Sequence, residues 1–513
     1  MHWADVVASN VEGKQTVSTG ISPSGEIHVG NMREVLTAEM VVKALRDSGK
    51  EVTFYYEADD IDPLRKVPKG IDESFSQYIG KPLYKIPAPD GKHDSWSSQF
   101  IEPFKETLEI LGVKLNFIYT HDLYEKGLFN DLIKKSFENR DKIGKIISEV
   151  SGKEIKGEYY PFDVICDSCG RLDKTVIKTY EWPYVEYECL TCRHTGKKDV
   201  RNGGGKLPWR VEWPAKWVIL GVTIEPFGKD HAAAGGSYDT GKRIVSDVFG
   251  VKPPYPVVYE WILLRNMGAM HSSKGILIRS IDMVKMAPPQ ILRFLIAKNN
   301  PERHIEMDSG KGLISLVNEY DQTERIYFGI EESPDKERTG DIRRIYELSQ
   351  VDRPPKEIPF QVPFNHLINL VQLKKSNEEI LESLRNSGFK IEGDLEPMFR
   401  RAEAVKYWLK NFADDEFKIT LTRQPPDMKL DASEVTFLKM ILNGLMTGSS
   451  PEDVNKVIHE SCNASINDKK RCFSLLYNIF LNKDTGPRIG YLFTSIGIES
   501  VKGFLRHYVN GNH

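Results

Sequence analysis

Hydrophobic and polar residues follow two different periods near the start of the chain. A mainly β-branched run at 16–21 predicts a strand, and residues 31–47 carry apolar side chains at helical spacing and end before Gly49. A second strand is predicted at 52–56. This strand–helix–strand order predicts a parallel sheet covered by helices.

The pattern becomes irregular between about residues 63 and 205, where proline, glycine and aromatic residues are frequent. We therefore predict that the range 63–205 is an insertion in the sheet. Strand-like runs resume at 209–222 and 256–264, and a helix follows at about 288–297. These elements are expected to complete the interrupted sheet.

The last third of the chain has a helical pattern. Residues 331–359 are charged and contain four prolines, which predicts a connector with one helix and a domain boundary near Pro359. Beyond this boundary, apolar stripes at helical spacing recur at 364–371, 398–412, 433–445 and 468–481. They predict an all-α C-terminal domain.

The composition is that of a globular protein, with 40% hydrophobic and 28% charged residues. A chain of 513 residues is too long for one hydrophobic core, so on the order of three domains are expected. The apolar runs stop well short of the ~20 residues that span a bilayer, and no leader-like segment is recognisable. We expect a cytoplasmic protein. The net charge of −3 excludes a globally basic nucleic-acid coat but not a local basic face.

Four of the six cysteines fall in two close pairs. Two residues separate Cys166 from Cys169 and Cys189 from Cys192, and nineteen residues lie between the pairs. This is the spacing of a zinc ribbon, in which two knuckles present four thiolates to one tetrahedral ion. Because four sulfurs leave no position for water, one structural Zn²⁺ is predicted within residues 160–200.

The turn after the first strand carries the first candidate chemistry. It combines Pro23 and Gly25 with His28, Gly30 and Asn31 at the start of the predicted helix. Free backbone N–H groups and the helix dipole favour an anion at such a position. His28 can donate a hydrogen bond to a phosphoryl oxygen, and Gly30 allows a flat base to approach the backbone. The turn therefore predicts a nucleotide phosphate site.

A second candidate segment lies much later in the chain. It is bounded by glycines and contains Met270, Ser272, Ser273 and Lys274. A loop of this kind can place an ammonium on a triphosphate as the transition state forms.

Together the two segments resemble the paired signatures of class I aminoacyl-tRNA synthetases, the His-Ile-Gly-His type at 28–31 and the Lys-Met-Ser-Lys-Ser type at 270–274. The longer contexts at 22–31, 59–68 and 228–231 are similar to those of class I lysyl-tRNA synthetases of the archaeal type. The resemblance covers essentially the whole chain and is weakest in the C-terminal helices.

The resemblance implies an α/β fold, with a Rossmann-type parallel-sheet catalytic domain that carries a zinc-ribbon insertion, plus an all-α C-terminal anticodon-binding domain. The implied domains are the first half of the catalytic domain at 1–62, a connective-peptide type insertion at 63–205, the second half of the catalytic domain with the second signature at 206–300, a connector or stem-contact region at 301–358, and the helical anticodon-binding domain at 359–513.

The resemblance also assigns roles to residues of the two signatures. His28, Asn31 and Lys274 are the expected catalytic residues. The expected ATP-binding residues are Pro23, Gly25, His28, Gly30, Asn31, Met270, Ser272, Ser273 and Lys274. Family members usually have Lys and Ser on either side of the methionine, where this chain has Ala269 and His271. The second signature is therefore expected to depend on Lys274 alone.

The substrate pocket is expected to combine aromatic faces with polar groups, since these suit an aliphatic stem that ends in an ammonium. The candidate amino-acid-binding residues are Gly20, Ser22, Trp209, Trp213, His231 and Tyr259. Glu57, Asp59 and Asp60 end a predicted strand, where one of them either pairs with the ammonium or only shapes the strand end. Glutamyl-tRNA synthetases typically carry Arg where this chain has Ser18, which favours lysine.

We therefore predict a class I lysine–tRNA ligase that uses ATP and Mg²⁺ to form lysyl-adenylate, transfers lysine to tRNA(Lys) and acts as a monomer. The tRNA is expected to span the insertion and the helical domain, with Arg400, Arg401, Tyr407 and Trp408 among the candidate contacts. Three alternatives stay open: a synthetase for another amino acid, chiefly glutamate; a nucleotidyltransferase without tRNA, against which the length argues; and an inactive RNA-binding paralogue, to which Ala269 points.

Overall fold

A computed structural model describes the chain at residues 1–152, 154–155, 157–265, 268–269 and 278–510. The chain divides into two compact units. Unit 1 comprises Met1–Val284, Leu292–Met307 and Glu347–Asp352, and unit 2 comprises Lys285–Ile291, Asp308–Tyr346 and Arg353–His513. Residues 308–346, which were expected in a connector, group with the helical unit. No helix of the described residues combines the length and the apolar character needed to cross a bilayer.

Every strand of the described chain belongs to unit 1, whereas helices occur in both units. In chain order the strands are β1 (Gln15–Ile21), β2 (Val52–Ala58), β3 (Asn116–Tyr119), β4 (Asp163–Val164), β5 (Thr175–Glu181), β6 (Tyr184–Cys189), β7 (Thr195–Asp199), β8 (Gly205–Lys206), β9 (Ile224–Gly228), β10 (Tyr255–Tyr259), β11 (Ile262–Leu264), β12 (Gly268–Ala269) and β13 (Ile305–Met307).

The first helices lie between and around these strands. They are α1 (Trp3–Ser9), α2 (Val29–Asp47), α3 (Trp96–Ile110), α4 (Thr120–Glu125), α5 (Asn130–Glu138), α6 (Arg140–Ser151), α7 (Trp209–Leu220), α8 (Lys229–Ala232), α9 (Ser237–Ile244), α10 (Ser280–Met286) and α11 (Pro289–Ala297). The remaining helices are α12 (Lys311–Tyr327), α13 (Thr339–Ser349), α14 (Phe364–Leu373), α15 (Asn377–Asn386), α16 (Glu396–Asn411), α17 (Ala432–Gly444), α18 (Pro451–Ala464), α19 (Lys469–Leu481), α20 (Ile489–Ile496) and α21 (Ile498–Val509).

Five strands of unit 1 form a parallel sheet in the order β10-β9-β1-β2-β3. The two strands predicted near the N-terminus are confirmed as β1 and β2, and their register aligns Gly20 with Glu57. On the other side of β1, the register of β9 and β10 aligns Gly228 with Tyr259. The strand order reverses between β1 and β9, and sheets of this kind bind ligands beyond the carboxyl ends of the strands at such a switch.

The helix α2 connects β1 to β2 and confirms the predicted helix. Its buried residues, including Met32, Val35 and Leu36, surround most of the helix because it packs against both the sheet and α1. The helix ends at Asp47 with Ser48 as its C-cap, and Gly49 follows with a φ of 80°, a left-handed conformation that glycine adopts without strain. The β1–α2–β2 crossover thereby holds the first turn of α2 at the carboxyl edge of the sheet.

The range 209–222, which was predicted to be strand-like, is mainly helical. It forms α7, which is capped by Gly221, and the strand β9 begins only at Ile224. Every residue from 211 to 217 is buried, including the charged ones, so the sequence shows no contrast between an apolar and a polar face. The tryptophans and the β-branched residues of this range favour a strand, so the prediction is wrong.

The strand β3 lies inside the range 63–205 that was predicted as an insertion. It pairs in parallel with β2, so the main sheet continues as far as Tyr119. A strand of four residues is too short to show a period in the sequence. The described chain then forms α4, α5 and α6 and two small antiparallel sheets, β4–β8 and β5–β6–β7.

Unit 2 is built from helices, as predicted for the last third of the chain. The helices α14, α16, α17 and α19 coincide with the four apolar stripes, and α13 is the helix predicted in the connector. Residues such as Leu438, Val454 and Leu476 are fully buried in a shared core. A disulfide between Cys462 and Cys472 joins α18 to α19.

Two of the side chains that were expected to contact RNA are buried inside unit 2. The indole of Trp408 is fully buried and donates a hydrogen bond of 2.6 Å to the Ser309 carbonyl oxygen. Arg401 is 8% exposed, and its guanidinium pairs with the Asp321 carboxylate at 2.6 Å. These residues stabilise the unit, so the expectation that they contact RNA is wrong.

Candidate active site

A cavity of about 380 Å³ opens at the carboxyl ends of the strands in unit 1. Its wall includes Gly20 at the end of β1, Glu57 near the end of β2, Gly228 at the end of β9 and Tyr259 at the end of β10. A Cβ atom at Gly20 would lie 2.5 Å from the Glu57 carbonyl oxygen, so this position requires glycine. The cavity therefore lies at the switch in strand order, the expected ligand position of such a sheet.

The first turn of α2 forms one end of the cavity. His28 directly precedes the helix, Gly30 and Asn31 lie in its first turn, and all three line the cavity. The His28 backbone N–H donates to the Asn31 side-chain oxygen at 3.1 Å, which holds that amide against the start of the helix. The free N–H groups and the dipole of this turn make this end of the cavity suitable for an anion.

The second signature falls on a part of the chain that the structure does not describe. The residues concerned are Met270, Ser272, Ser273 and Lys274. The described chain resumes at Ile278, whose carbonyl oxygen accepts a hydrogen bond of 2.9 Å from the Val29 N–H. Arg279 then forms a β-bridge with His28. Shortly after Lys274, the chain therefore returns to the first turn of α2.

Aromatic side chains form a second wall of the cavity. The rings of Trp209 and Trp213 stack with centroids 5.1 Å apart and planes inclined by 14°. The His231 ring lies 5.7 Å from the Trp209 ring and 5.4 Å from the Trp213 ring. Phe227 meets Trp213 edge to face at 5.3 Å. These faces suit the aliphatic part of a ligand.

A buried ammonium lies between two carboxylates at the end of β2. The Lys216 side chain is 2% exposed, and its ammonium is 3.2 Å from Glu57 and hydrogen-bonded to Asp59. Ser18 donates a further hydrogen bond to Glu57, and Thr120 donates one of 2.7 Å to Asp59. Burial opposes the charge of Lys216, but the two carboxylates outweigh burial and raise the pKa of Lys216 well above its usual value. Lys216 therefore stays charged and neutralises one of these two carboxylates.

Glu34 reaches the cavity from the second turn of α2. Its carboxylate accepts a hydrogen bond of 2.9 Å from the Gly20 N–H, one from the Thr19 hydroxyl and one from the Tyr259 hydroxyl. Burial raises the pKa of Glu34 to about 7, although the side chain stays partly accessible. In the described chain this carboxylate has no cationic partner within ion-pair distance.

Glu225 on β9 is a further buried carboxyl group of the cavity wall. It is 5% exposed, and its two oxygens accept hydrogen bonds of 2.6 Å from the Trp213 indole and 2.8 Å from the Trp217 indole. Burial and the nearby charge of Glu57 raise the pKa of Glu225 well above its usual value. The cavity therefore combines aromatic walls with two carboxyl groups that no described lysine or arginine neutralises.

A larger cavity of about 770 Å³ adjoins the first. The residues common to both walls are Gly20, Glu34, Asp59, Trp209 and His231. Ser22 and Lys206 line only the second cavity, as do Asp173 and Lys174, which precede β5. Lys206 is itself buried and lies 2.8 Å from Glu212. The second cavity therefore lies beside the first and is also lined by the cysteine-bearing segment.

The structure brings most of the predicted site residues together. Those that line the first cavity are Gly20, His28, Gly30, Asn31, Trp209, Trp213, His231 and Tyr259. Ser22 lines the adjoining cavity instead. Pro23 and Gly25 are buried in the turn between β1 and α2 and line neither cavity. Their expected contact with ATP stays a prediction.

The sequence analysis missed Glu34, Lys216 and Glu225. Glu34 lies one helical turn beyond Gly30, so it shares a face with the phosphate turn. Lys216 lies on the same face of α7 as Trp209, but the signal required α7 to be recognised as a helix. For Glu225 we find no signal in the sequence beyond its position after an apolar run.

The four paired cysteines converge at one point in unit 1. Their sulfur atoms all lie within 4.8 Å of one another, with 3.6 Å between Cys166 and Cys192 and 3.7 Å between Cys169 and Cys189. Four sulfurs at 2.3 Å from a central zinc would be about 3.8 Å apart. The donor set and its spacing therefore fit a tetrahedral metal site, and no fifth ligand is needed.

The two cysteine knuckles share one local geometry. In each knuckle, the carbonyl oxygen of the first cysteine accepts a hydrogen bond of 2.9 Å from the backbone N–H four residues later. The donors are Gly170, which bonds to Cys166, and Arg193, which bonds to Cys189. These two donors have φ values of 72° and 62°, in the left-handed region. Each Cys-x-x-Cys sequence therefore forms a knuckle of the same type, and the two knuckles bring their four sulfurs together.

Comparison with known proteins agrees with this geometry. A family model described as tRNA synthetases class I (K) matches residues 1–352. A lysine–tRNA ligase from Picrophilus torridus is 42% identical over 98% of this chain and 98% of its own. Proteins of the same name are 40% identical in Thermoplasma acidophilum (99% of each chain) and 39% identical in Archaeoglobus fulgidus (98% of this chain, 99% of that one). The chain therefore belongs to the class I lysyl-tRNA synthetase family.

Proposed function

We propose that the chain is an ATP-dependent ligase that forms lysyl-adenylate and transfers lysine to tRNA(Lys). The observation that supports this proposal is the wall of one cavity. One end of this wall is a helix N-terminus suited to phosphate, and the rest is an aromatic pocket with carboxyl groups that lack a cationic partner in the described chain. The alternative of a glutamate-specific enzyme is disfavoured, because a carboxylate side chain would meet the Glu34 carboxylate, and the one lysine of the described cavity wall, Lys216, is already paired with Glu57 and Asp59.

In the first step, a carboxylate oxygen of lysine attacks the α-phosphorus of ATP and pyrophosphate leaves. His28, Asn31 and the first N–H groups of α2 are proposed to hold phosphoryl oxygens and stabilise the charge that develops on them. Lys274 is proposed to act on the same phosphates, because the chain that follows it is tied to His28. Mg²⁺ is expected to enter with ATP, whose phosphates supply most of the oxygens that this ion requires.

Lysine carries two ammonium groups, and the wall of the cavity offers two carboxyl groups for them. Lys216 neutralises only one of the two carboxylates Glu57 and Asp59. We therefore assign Glu34 and the remaining charge of the Glu57–Asp59 pair as the groups that compensate the substrate charges, with the lysine stem against the aromatic wall. Glu34 is the more accessible of the two and is the proposed contact for an incoming ammonium.

In the second step, a ribose hydroxyl at the end of the tRNA attacks the lysyl carbonyl, and AMP leaves. The adjoining cavity is the proposed entrance for this end, since it shares wall residues with the first cavity and carries Arg65, Lys174 and Ser22 at its rim. The cysteine cluster is proposed to hold one structural Zn²⁺ that fixes the segment before β5. A cytoplasmic location and a monomeric state stay predictions.

The test is amino-acid-dependent exchange of pyrophosphate into ATP, measured with each of the twenty amino acids in the presence and absence of tRNA. We expect exchange with lysine and not with glutamate. Exchange with no amino acid under either condition would exclude the ligase, and exchange with glutamate alone would exclude the assigned substrate.

The affinity for lysine should depend on pH through Glu34. The pKa of this carboxyl is about 7, so lowering the pH below 7 protonates it and removes the charge that attracts the ammonium. Between pH 8 and pH 6 the dissociation constant for lysine, measured by calorimetry, should rise about tenfold, because the ionised fraction falls about tenfold. The variant Glu34→Gln should bind lysine weakly and with little dependence on pH. An equal pH dependence in both proteins would contradict the assignment.

A further inference from the structure

Glu225 on β9 faces two tryptophans of α7 that lie one helical turn apart. One of its carboxyl oxygens accepts a hydrogen bond from the Trp213 indole, and the other accepts one from the Trp217 indole. All three residues are buried. Both terminal atoms of a carboxyl group can accept a hydrogen bond, whereas the amide nitrogen of glutamine can only donate. The two indole donors therefore require a carboxyl group at this position.

Trp217 lies behind the aromatic wall and is fixed by packing. A Cβ atom at Gly241 would lie 2.9 Å from the Trp217 ring, so α9 approaches this ring closely. The Tyr238 ring meets the Trp217 ring edge to face, with centroids 5.9 Å apart. Trp217 itself lines neither of the two cavities described above. It is therefore a fixed point to which one oxygen of Glu225 is bonded.

Trp213 is the part of the wall whose orientation Glu225 determines. An indole ring can turn over by about 180° about its Cβ–Cγ bond, and only one of the two orientations directs the N–H of Trp213 to Glu225. The Trp209 ring stacks on the Trp213 ring, and the Trp209 indole N–H has no hydrogen-bond partner among the described residues. The orientation of Trp209 therefore depends on Trp213.

We propose that Glu225 is a positioning residue that holds the aromatic wall in the orientation that binds the lysine stem. It acts through Trp213, because both of its oxygens are already bonded to indoles and are not available to pair with a substrate ammonium. The wall contacts the stem equally before and during the reaction, so its loss should raise KM and leave kcat unchanged. This inference rests on the proposed function, because it takes lysine to be the ligand of the wall.

The experiment compares the full-length protein with Glu225→Gln in lysine-dependent exchange of pyrophosphate into ATP. Glutamine keeps the size of the side chain but turns an N–H donor towards one of the two indole N–H groups. We expect the KM for lysine to rise about tenfold, with kcat and the KM for ATP within about twofold of the unaltered values. The resonance Raman band of the indole N–H should show that one tryptophan has lost its hydrogen bond, and this measurement needs no activity.

Removing one indole donor should relieve the conflict between the two N–H groups. In the double variant Glu225→Gln, Trp217→Phe, the glutamine oxygen can accept from Trp213 while the amide nitrogen faces a ring without an N–H. The KM for lysine should then return to within about threefold of the unaltered value, although a second residue has been changed. A rise of about tenfold in the double variant would overturn the inference, even where Glu225→Gln alone does not fold.

Glu39→Gln is the matched control for the loss of a buried carboxylate in unit 1. Glu39 is 4% exposed, pairs with Arg293 at 3.4 Å and lines neither cavity. This variant should unfold at a lower temperature but keep the KM for lysine and the indole band. An unchanged KM for lysine in Glu225→Gln, or equal changes in both KM values and kcat, would overturn this inference alone. Absence of lysine-dependent exchange in the unaltered protein would overturn it together with the proposed function.

Discussion

Replacing Lys216 with methionine is expected to lower the free energy of unfolding by about 3–5 kcal/mol. The ammonium is buried between Glu57 and Asp59, so the substitution leaves two close carboxylates in a site that water hardly reaches. One of them must then take up a proton or remain as an uncompensated charge. Urea denaturation followed by tryptophan fluorescence measures the effect, since Trp209 and Trp213 lie on the same helix.

Two further variants separate the loss of charge balance from a simple loss of packing. Lys14→Met removes an ion pair of 2.6 Å with Glu51 that is largely exposed, and it should leave the stability almost unchanged. The double variant Lys216→Met, Glu57→Gln should recover part of the lost stability, because one of the two carboxylates is then neutral. A urea midpoint for Lys216→Met equal to that of the unaltered protein would show that the ammonium does not stabilise the site.

Loss of the metal is expected to have the second large effect. Structural zinc sites of four cysteines contribute on the order of 10 kcal/mol to the folding of the segment that holds them. The variant Cys166→Ser should therefore contain almost no zinc and should unfold at a temperature lower by at least about 10 °C. Atomic emission of the purified protein gives the zinc content, and calorimetry gives the transition temperature.

The matched control for the cysteine variant lies in the same knuckle. Ser168 is exposed between Cys166 and Cys169, so Ser168→Ala alters the turn without removing a sulfur. It should keep about one zinc per chain and the original transition temperature. Full zinc occupancy in Cys166→Ser would contradict the four-cysteine site.

The helices of unit 2 that could be predicted from the sequence have one face in contact with solvent. The helices α14, α16, α17 and α19 show their apolar stripes because polar residues alternate with them at helical spacing. The helix α7 has no such contrast, since both Trp213 and Lys216 are buried, and it was taken for a strand. The strand β3 was missed for a different reason, because its four residues owe their conformation to the neighbouring β2.

For the candidate site, the features that could be predicted are local in the sequence, and those that were missed depend on long-range contacts. The cysteine pairs and the turn at His28 could be predicted because short segments of backbone define them. The pairing of Lys216 with Glu57, and the approach of Glu34 to Tyr259, join segments that are distant in sequence. Such contacts depend on sheet topology, which a single sequence does not display.

The parallel sheet has a consequence for how the substrate pocket is specified. Side chains alternate between the two faces of a strand, so Glu57 and Asp59 point to the same side, opposite to Ala58. The register of β1 and β2 aligns Gly20 with Glu57. Because Gly20 has no side chain, the backbones of the two strands can lie close together at this point. A slip of one residue between β1 and β2 would turn both carboxylates away from Lys216 and bring Ala58 in their place. The charge pattern of the cavity thus depends on the hydrogen-bond ladder of two adjacent strands, because that ladder decides which side chains of β2 face Lys216.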